Sequence, residues 1–114
     1  MPVSTRQVGS PDLASQRADE LAQFVYRLSW KFVQSDAVLA QWMRNAAIAI
    51  ATKMASAQFA DTPRARHAVN AALEALTELA YCAHLAKRLG LLTEADLRRM
   101  QALHAEVRAA IAAP

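Results

Sequence analysis

A chain of 114 residues, 54% hydrophobic and 20% charged, is long enough for one compact domain with a genuine core and too apolar for a long disordered segment. A formal charge of +3 and a pI near 9.5 permit attraction to a polyanion without demanding it. Only two glycines occur, Gly9 and Gly90, while alanine dominates many windows, which favours long helices and an all-α fold.

Residues 1 to 9 are expected to form a flexible N-terminal tail. Arg6 is not accompanied by an apolar run of the signal-sequence kind, and the single cysteine, Cys82, cannot close an internal disulfide, so a cytoplasmic protein is expected. Ser10-Pro11-Asp12 has the chemistry of a helix start: a capping serine, a proline tolerated in the first turn and an aspartate favourable to the dipole. Leu13, Leu21, Phe24, Val25, Leu28 and Phe32 then recur at three- and four-residue intervals, predicting an amphipathic helix to about residue 34. Asp36 suits the cap of a second helix running to about Phe59. A membrane span within QWMRNAAIAIATKMASAQFA is excluded, because Arg44 and Lys53 interrupt the apolar run.

Thr62-Pro63 repeats the cap-plus-proline pattern, and a third helix is expected to continue to Gly90, at a length of about 40 Å. Thr93 with Asp96 resembles a capping box and opens a fourth helix carrying Leu97, Met100, Leu103, Val107 and Ile111. Connections this short make sequential neighbours antiparallel, so residues 10 to 114 are expected to form an up-down-up-down four-helix bundle.

At 100° per residue, Leu39, Met43, Ala46, Ala47, Ile50, Met54 and Ala57 share one broad face of the second helix. Ile48, Ala55 and Phe59 lie roughly opposite, beside Arg44. The third helix repeats the arrangement, with Val69, Ala72, Leu76, Leu79 and Ala83 on one face, and Ala71, Ala75, Cys82, Leu85 and Leu89 around Glu78 on another. Surplus apolar surface of this kind is either wrapped by the first and fourth helices or used for association, and self-association needs no second gene product. The candidate contact residues are Arg44, Ile48, Phe59, Glu78, Cys82, Leu85 and Leu89. A charge among small apolar residues needs a partner, so an Arg44 to Glu78 ion pair, within or between subunits, is expected.

Catalytic signatures are missing. No Glu-x-x-His pair exists for a bundle metal centre: Glu74 is followed three residues later by Thr77 and Glu78 by Tyr81, and neither His67, His84 nor His104 has a glutamate three residues before it. His67 and His84 read as surface residues and Cys82 as a small buried hydrophobe. With no phosphate loop, CxxC, HExxH or nucleophile elbow, neither an enzyme, a cofactor nor a metal is expected. Among the basic residues, Arg64, Arg66, Arg88, Arg98 and Arg99 are candidate phosphate contacts at the ends of the third helix and along the fourth. Glu94, Asp96 and Glu106 dilute their field in a single chain, whereas several copies of a weak basic strip in one oligomer add up.

MRNAAIAIATKMASA, residues 43 to 57, resembles the Arg-Arg-Ala-Ala-(Val/Ile)-Ser-Ile-Pro-Ser-Asn-Ile-Ala-Glu-Gly segment of the four-helix-bundle proteins encoded within intervening sequences of bacterial 23S ribosomal RNA genes. ALEALTELAYCAHLAKRLGLLTEADL, residues 72 to 97, resembles the same family's Ala-Leu-Gly-Ser-Leu-Ala-Glu-Leu-Glu segment and its Ala-Lys-x-Leu-Gly-Tyr-Leu ending. The resemblance implies an antiparallel four-helix bundle assembling as a homopentamer, and kinship with accessory proteins of diversity-generating retroelements, which bind nucleic acid and a reverse transcriptase. By position, Arg44 matches a family arginine, Glu78 the glutamate of Ala-Glu-Leu and Gly90 the Leu-Gly turn. Ala51, Lys53, Ser56 and Ala57 depart from it, standing where the family has proline, asparagine, glutamate and glycine.

Two functional expectations follow. One is a non-catalytic basic oligomer that binds structured RNA or DNA through phosphates. The other is a scaffold that holds a protein partner, such as a reverse transcriptase, with its charge serving solubility.

Overall fold

The computed structural model describes residues 10–113, with side chains from Leu13 onward, so the expected tail lies outside the described residues. Its helices are α1 (Ser10–Ser29), α2 (Ala37–Phe59), α3 (Thr62–Arg88) and α4 (Glu94–Ala112), and no strand occurs among the described residues. The fold is all-α.

Three of these helices open on side chains that satisfy backbone N–H groups otherwise left without partners. The Asp36 carboxylate accepts from the Leu39 N–H at 2.9 Å, as expected. In the capping box, Thr93 Oγ1 accepts from the Asp96 N–H at 3.0 Å while Asp96 Oδ2 accepts from the Thr93 N–H at 3.3 Å. The third start differs from expectation, since Asp61 caps α3 and Thr62 is its first residue. Pro63 offers no N–H, and the Asp61 carboxylate reaches past it to the Arg64 N–H at 3.0 Å.

The first helix also ends sooner than the apolar pattern predicts, at Ser29 rather than near residue 34. Ser29 Oγ donates to the Tyr26 carbonyl at 2.9 Å, the acceptor that a continuing α ladder would offer to Trp30. The Trp30, Lys31 and Phe32 N–H groups turn instead to the carbonyls three residues back, at 3.3, 3.0 and 3.2 Å. Phe32 is nevertheless buried, so the tightened turn keeps the periodic residue in the core.

Beyond the end of α3, Gly90 takes the left-handed conformation, with φ at 77°. Its N–H donates to the Lys87 carbonyl at 3.0 Å and the Leu91 N–H to the Ala86 carbonyl at 2.9 Å, the two bonds that close a helix end in the Schellman arrangement.

Burial follows the predicted stripes. Leu39, Met43, Ala46, Ala47, Ile50, Met54 and Ala57 of α2 are all buried, as are Ala72, Leu76, Leu79 and Ala83 of α3. Leu21, Val25 and Leu28 of α1 and Met100, Leu103 and Val107 of α4 complete the interior, while Leu13, at the start of α1, remains 41% exposed. Each large aliphatic side chain so buried contributes about 1.5–3 kcal/mol. Fully buried Ala14, Ala18, Ala40 and Ala86 fill the space between helices with little volume, which lets backbones approach closely.

Helix α1 packs on α2 and α4, and α3 packs on the same two, giving a ring of neighbours about 49 × 23 × 19 Å in extent. Arg17 faces Glu106 at 4.0 Å and Lys31 faces Asp96 at 3.0 Å, so numbers rising along α1 meet numbers falling along α4. This register is compatible with the expected up-down-up-down course.

Candidate functional site

Arg44 sits on the α1 side of α2, and its surroundings follow from spacing on α1. Tyr26, Ser29 and Trp30 lie three and four residues apart and therefore share a helical face. The Arg44 Nε–H donates to Ser29 Oγ at 2.6 Å, and the guanidinium carbon stands 4.7 Å from the ring centroids of both Tyr26 and Trp30. Arg44 is only 9% exposed, and its Nη2 is buried without a hydrogen-bond partner among the described residues. The guanidinium thus has two aromatic neighbours and one hydroxyl, but no counter-charge among the described residues.

The expected Arg44 to Glu78 pair does not form within the chain. Arg44 points toward α1, whereas Glu78 is exposed on α3, across the other flank of α2, and no ion pair joins them among the described residues. Side-chain direction around α2, a tertiary matter, separates two residues that the wheel places on surplus faces of adjacent helices.

The remaining contact candidates fall into separate places. Ile48, one turn beyond Arg44, is 46% exposed, and Phe59, three turns further on the same stripe, is 76% exposed. Leu89 is exposed just past the end of α3. Glu78, Cys82 and Leu85 instead line a groove of about 420 Å³ between α2 and α3, together with Asp36, Val38, Leu39, Trp42 and Tyr81. Cys82 is buried there, and burial, then the charge of Glu78, pushes its thiol pKa up, which keeps it protonated and unreactive.

Sequence reasoning overlooked the exposed aromatics. Trp30 is 64% exposed, and Tyr26, Trp42, Tyr81 and Val38 are also open to solvent. The signal was available for Trp30, which stands nine residues after Leu21 and hence opposite the core stripe of α1 on a regular wheel. Trp42 gave less warning, because it borders the core stripe of α2.

The candidate phosphate contacts do not form one patch. Arg64 and Arg66 stand at the start of α3, and Arg88 is at its end, about 36 Å from Arg64 along the axis. Arg98 and Arg99, in the first turns of α4, belong with Arg88. Glu94 lies 4.0 Å from Arg98 and 3.2 Å from Lys87, and Asp61 lies 3.8 Å from Arg64, so part of the charge is compensated locally. His67 and His84 are exposed, while His104 Nε2 lies 2.8 Å from the Leu76 carbonyl and ties α4 to α3. Among the described residues no group of three or more histidine, cysteine, aspartate or glutamate side chains is placed to hold a metal ion, and no helix is long and apolar enough to cross a membrane.

The chain matches the family model of the 23S rRNA-intervening sequence protein over residues 13–113, a span that includes nearly all of the four helices. Its fold is similar to the crystal structure of a protein of unknown function from the S23 ribosomal protein family of Bacteroides thetaiotaomicron, with a TM-score of 0.84, 17% sequence identity, and coverage of 90% of this chain and 94% of that one. No curated protein matches the sequence.

Proposed function

The chain belongs to the 23S rRNA-intervening sequence protein family, and we propose that it acts in the cytoplasm without catalysis, as a self-associating helical scaffold. The observation that carries this reading is the set of large apolar side chains left open to solvent: Trp30 just past the end of α1, and Ile48 and Phe59 on one stripe of α2. Contiguous apolar surface on a small protein marks a contact site, and a second copy is the simplest partner. The family resemblance makes a pentamer the natural subunit number.

Light scattering tests it. The expected mass is a multiple of the 12.4 kDa chain, and Ile48→Asp with Phe59→Asp should return the chain to a monomer of unchanged helical content whose melt no longer depends on protein concentration. A wild type that stays at 12.4 kDa at micromolar concentration would sink the proposal.

A second reading, binding of structured RNA or DNA, is favoured by the gathering of Arg88, Arg98 and Arg99 at one end of the bundle, which a ring of copies would repeat. Phosphate contacts of this kind give affinity that falls steeply with salt and discriminates little between base sequences. Anisotropy of a labelled structured RNA across several salt concentrations decides it, and no binding at low salt by an intact oligomer would remove it.

A further inference from the structure

We propose that the groove between α2 and α3 is a docking site for a helix of a protein partner that presents an arginine or lysine among aliphatic side chains. None of Trp30, Ile48 and Phe59 lines this site, and it extends the scaffold reading from self-association to capture of a second protein.

The shape and lining of the groove set the chemistry. It opens where the first turns of α2 run beside the last turns of α3, and its volume of about 420 Å³ holds a few side chains. Leu39 and Cys82 are buried at its base, while Trp42 and Tyr81, both more than half exposed, stand at its edges. Two adjacent helices with a trough between them offer a third helix the ridges and grooves that helices use to pack on one another.

Charge selects among occupants. The only charged side chains lining the groove are Asp36 and Glu78, both carboxylates. One oxygen of Asp36 is committed to the cap of α2. Glu78, like Asp19, Asp36 and Glu74, makes no ion pair among the described residues, and no cationic side chain lines the groove, so its carboxylate faces the trough without a partner cation.

An apolar trough edged by two carboxylates repels phosphate and acidic peptides. It suits a guanidinium or ammonium carried on an aliphatic stem: the stem covers apolar walls, the charge meets Glu78, and the indole and phenol faces add cation–π attraction. Nucleic acid is therefore the wrong occupant for this face, and a basic amphipathic helix the right one.

The chain has two tryptophans, so a Trp30→Phe background makes Trp42 the sole indole reporter beside the groove. The probe is a helical leucine-alanine peptide of about 15 residues with one central arginine, compared with the same peptide bearing norleucine there. The arginine peptide should change Trp42 fluorescence saturably and bind about tenfold more tightly than the norleucine peptide. Glu78→Gln should erase that preference, and Asp19→Asn, exposed on α1 away from the groove, should leave it intact. Equal binding of the two peptides, a preference that survives Glu78→Gln, or no saturable signal with either peptide would overturn the proposal. Loss of self-association in Glu78→Gln would also overturn it, by placing a second copy in the groove. Light scattering on wild type and on Glu78→Gln, both with Trp30 intact, separates the two readings, because a monomeric wild type together with a surviving arginine preference keeps this site and removes self-association.

Discussion

Arg44 poses the sharpest energetic question at the scale of single residues. Burying an ion costs several kcal/mol, and here no carboxylate among the described residues offsets that cost, whereas each cation–π contact returns about 0.5–2 kcal/mol. The bond to Ser29 therefore matters: Ser29→Ala leaves Nε unpaired beside an already orphaned Nη2 and should destabilise the fold by about 1–3 kcal/mol in urea unfolding. Arg44→Met keeps most of the volume, removes the charge and retains contact with the rings, so its stability should fall within about 1 kcal/mol of wild type or exceed it. A large loss in Arg44→Met would mean that the charge itself stabilises the fold. Asp96 shows the opposite balance. Burial pushes its carboxyl pKa up, but hydrogen bonds from Lys31 and Thr93 outweigh burial and hold it below the ordinary carboxylate range. A folded value below the unfolded one stabilises the protein when Asp96 is charged. The advantage of wild type over Asp96→Asn should thus be complete above about pH 4 and shrink as pH falls through the folded value, in urea titrations run at several pH values.

Helix ends decide the elements. At Gly90 a Cβ would meet nothing within 4 Å, so space does not explain the glycine, whereas φ at 77° does. Gly90→Ala should cost about 1 kcal/mol through backbone strain alone, and thermal unfolding of the pair measures it. An Ala variant as stable as wild type would show that the turn relaxes. Much at this scale was legible beforehand, because caps are local: Asp36, the Thr93 and Asp96 box and the Gly90 stop each act within a few residues. The two boundary errors were local as well. Asp61 rather than Thr62 caps α3, its carboxylate accepting from the N–H three residues on as Asp36 does at the start of α2, and α1 gives way to a tightened turn where the Ser29 hydroxyl bonds the Tyr26 carbonyl.

On the scale of the whole molecule, the arginines become a question of geometry. Arg88 and Arg99 share one end, so replacing either with alanine should lower the salt slope of RNA binding by about one, uniformly across RNA sequences. Arg64→Ala, some 36 Å away along α3, should change it less if that end makes the contacts. Equal effects at both ends would indicate that RNA lies along the full bundle.

The all-α class, four helices and the identity of the core stripes were written in composition and in periods of three and four, since these depend on residues near one another in the chain. Arg44 facing Tyr26 and Trp30 instead of Glu78, and the groove that joins residues 36–42 to residues 78–85, were not. Each depends on which helix lies beside which and on how far each is turned about its axis. Those choices are made by packing between segments far apart in sequence, where a helical wheel drawn for one segment carries no information about its neighbours.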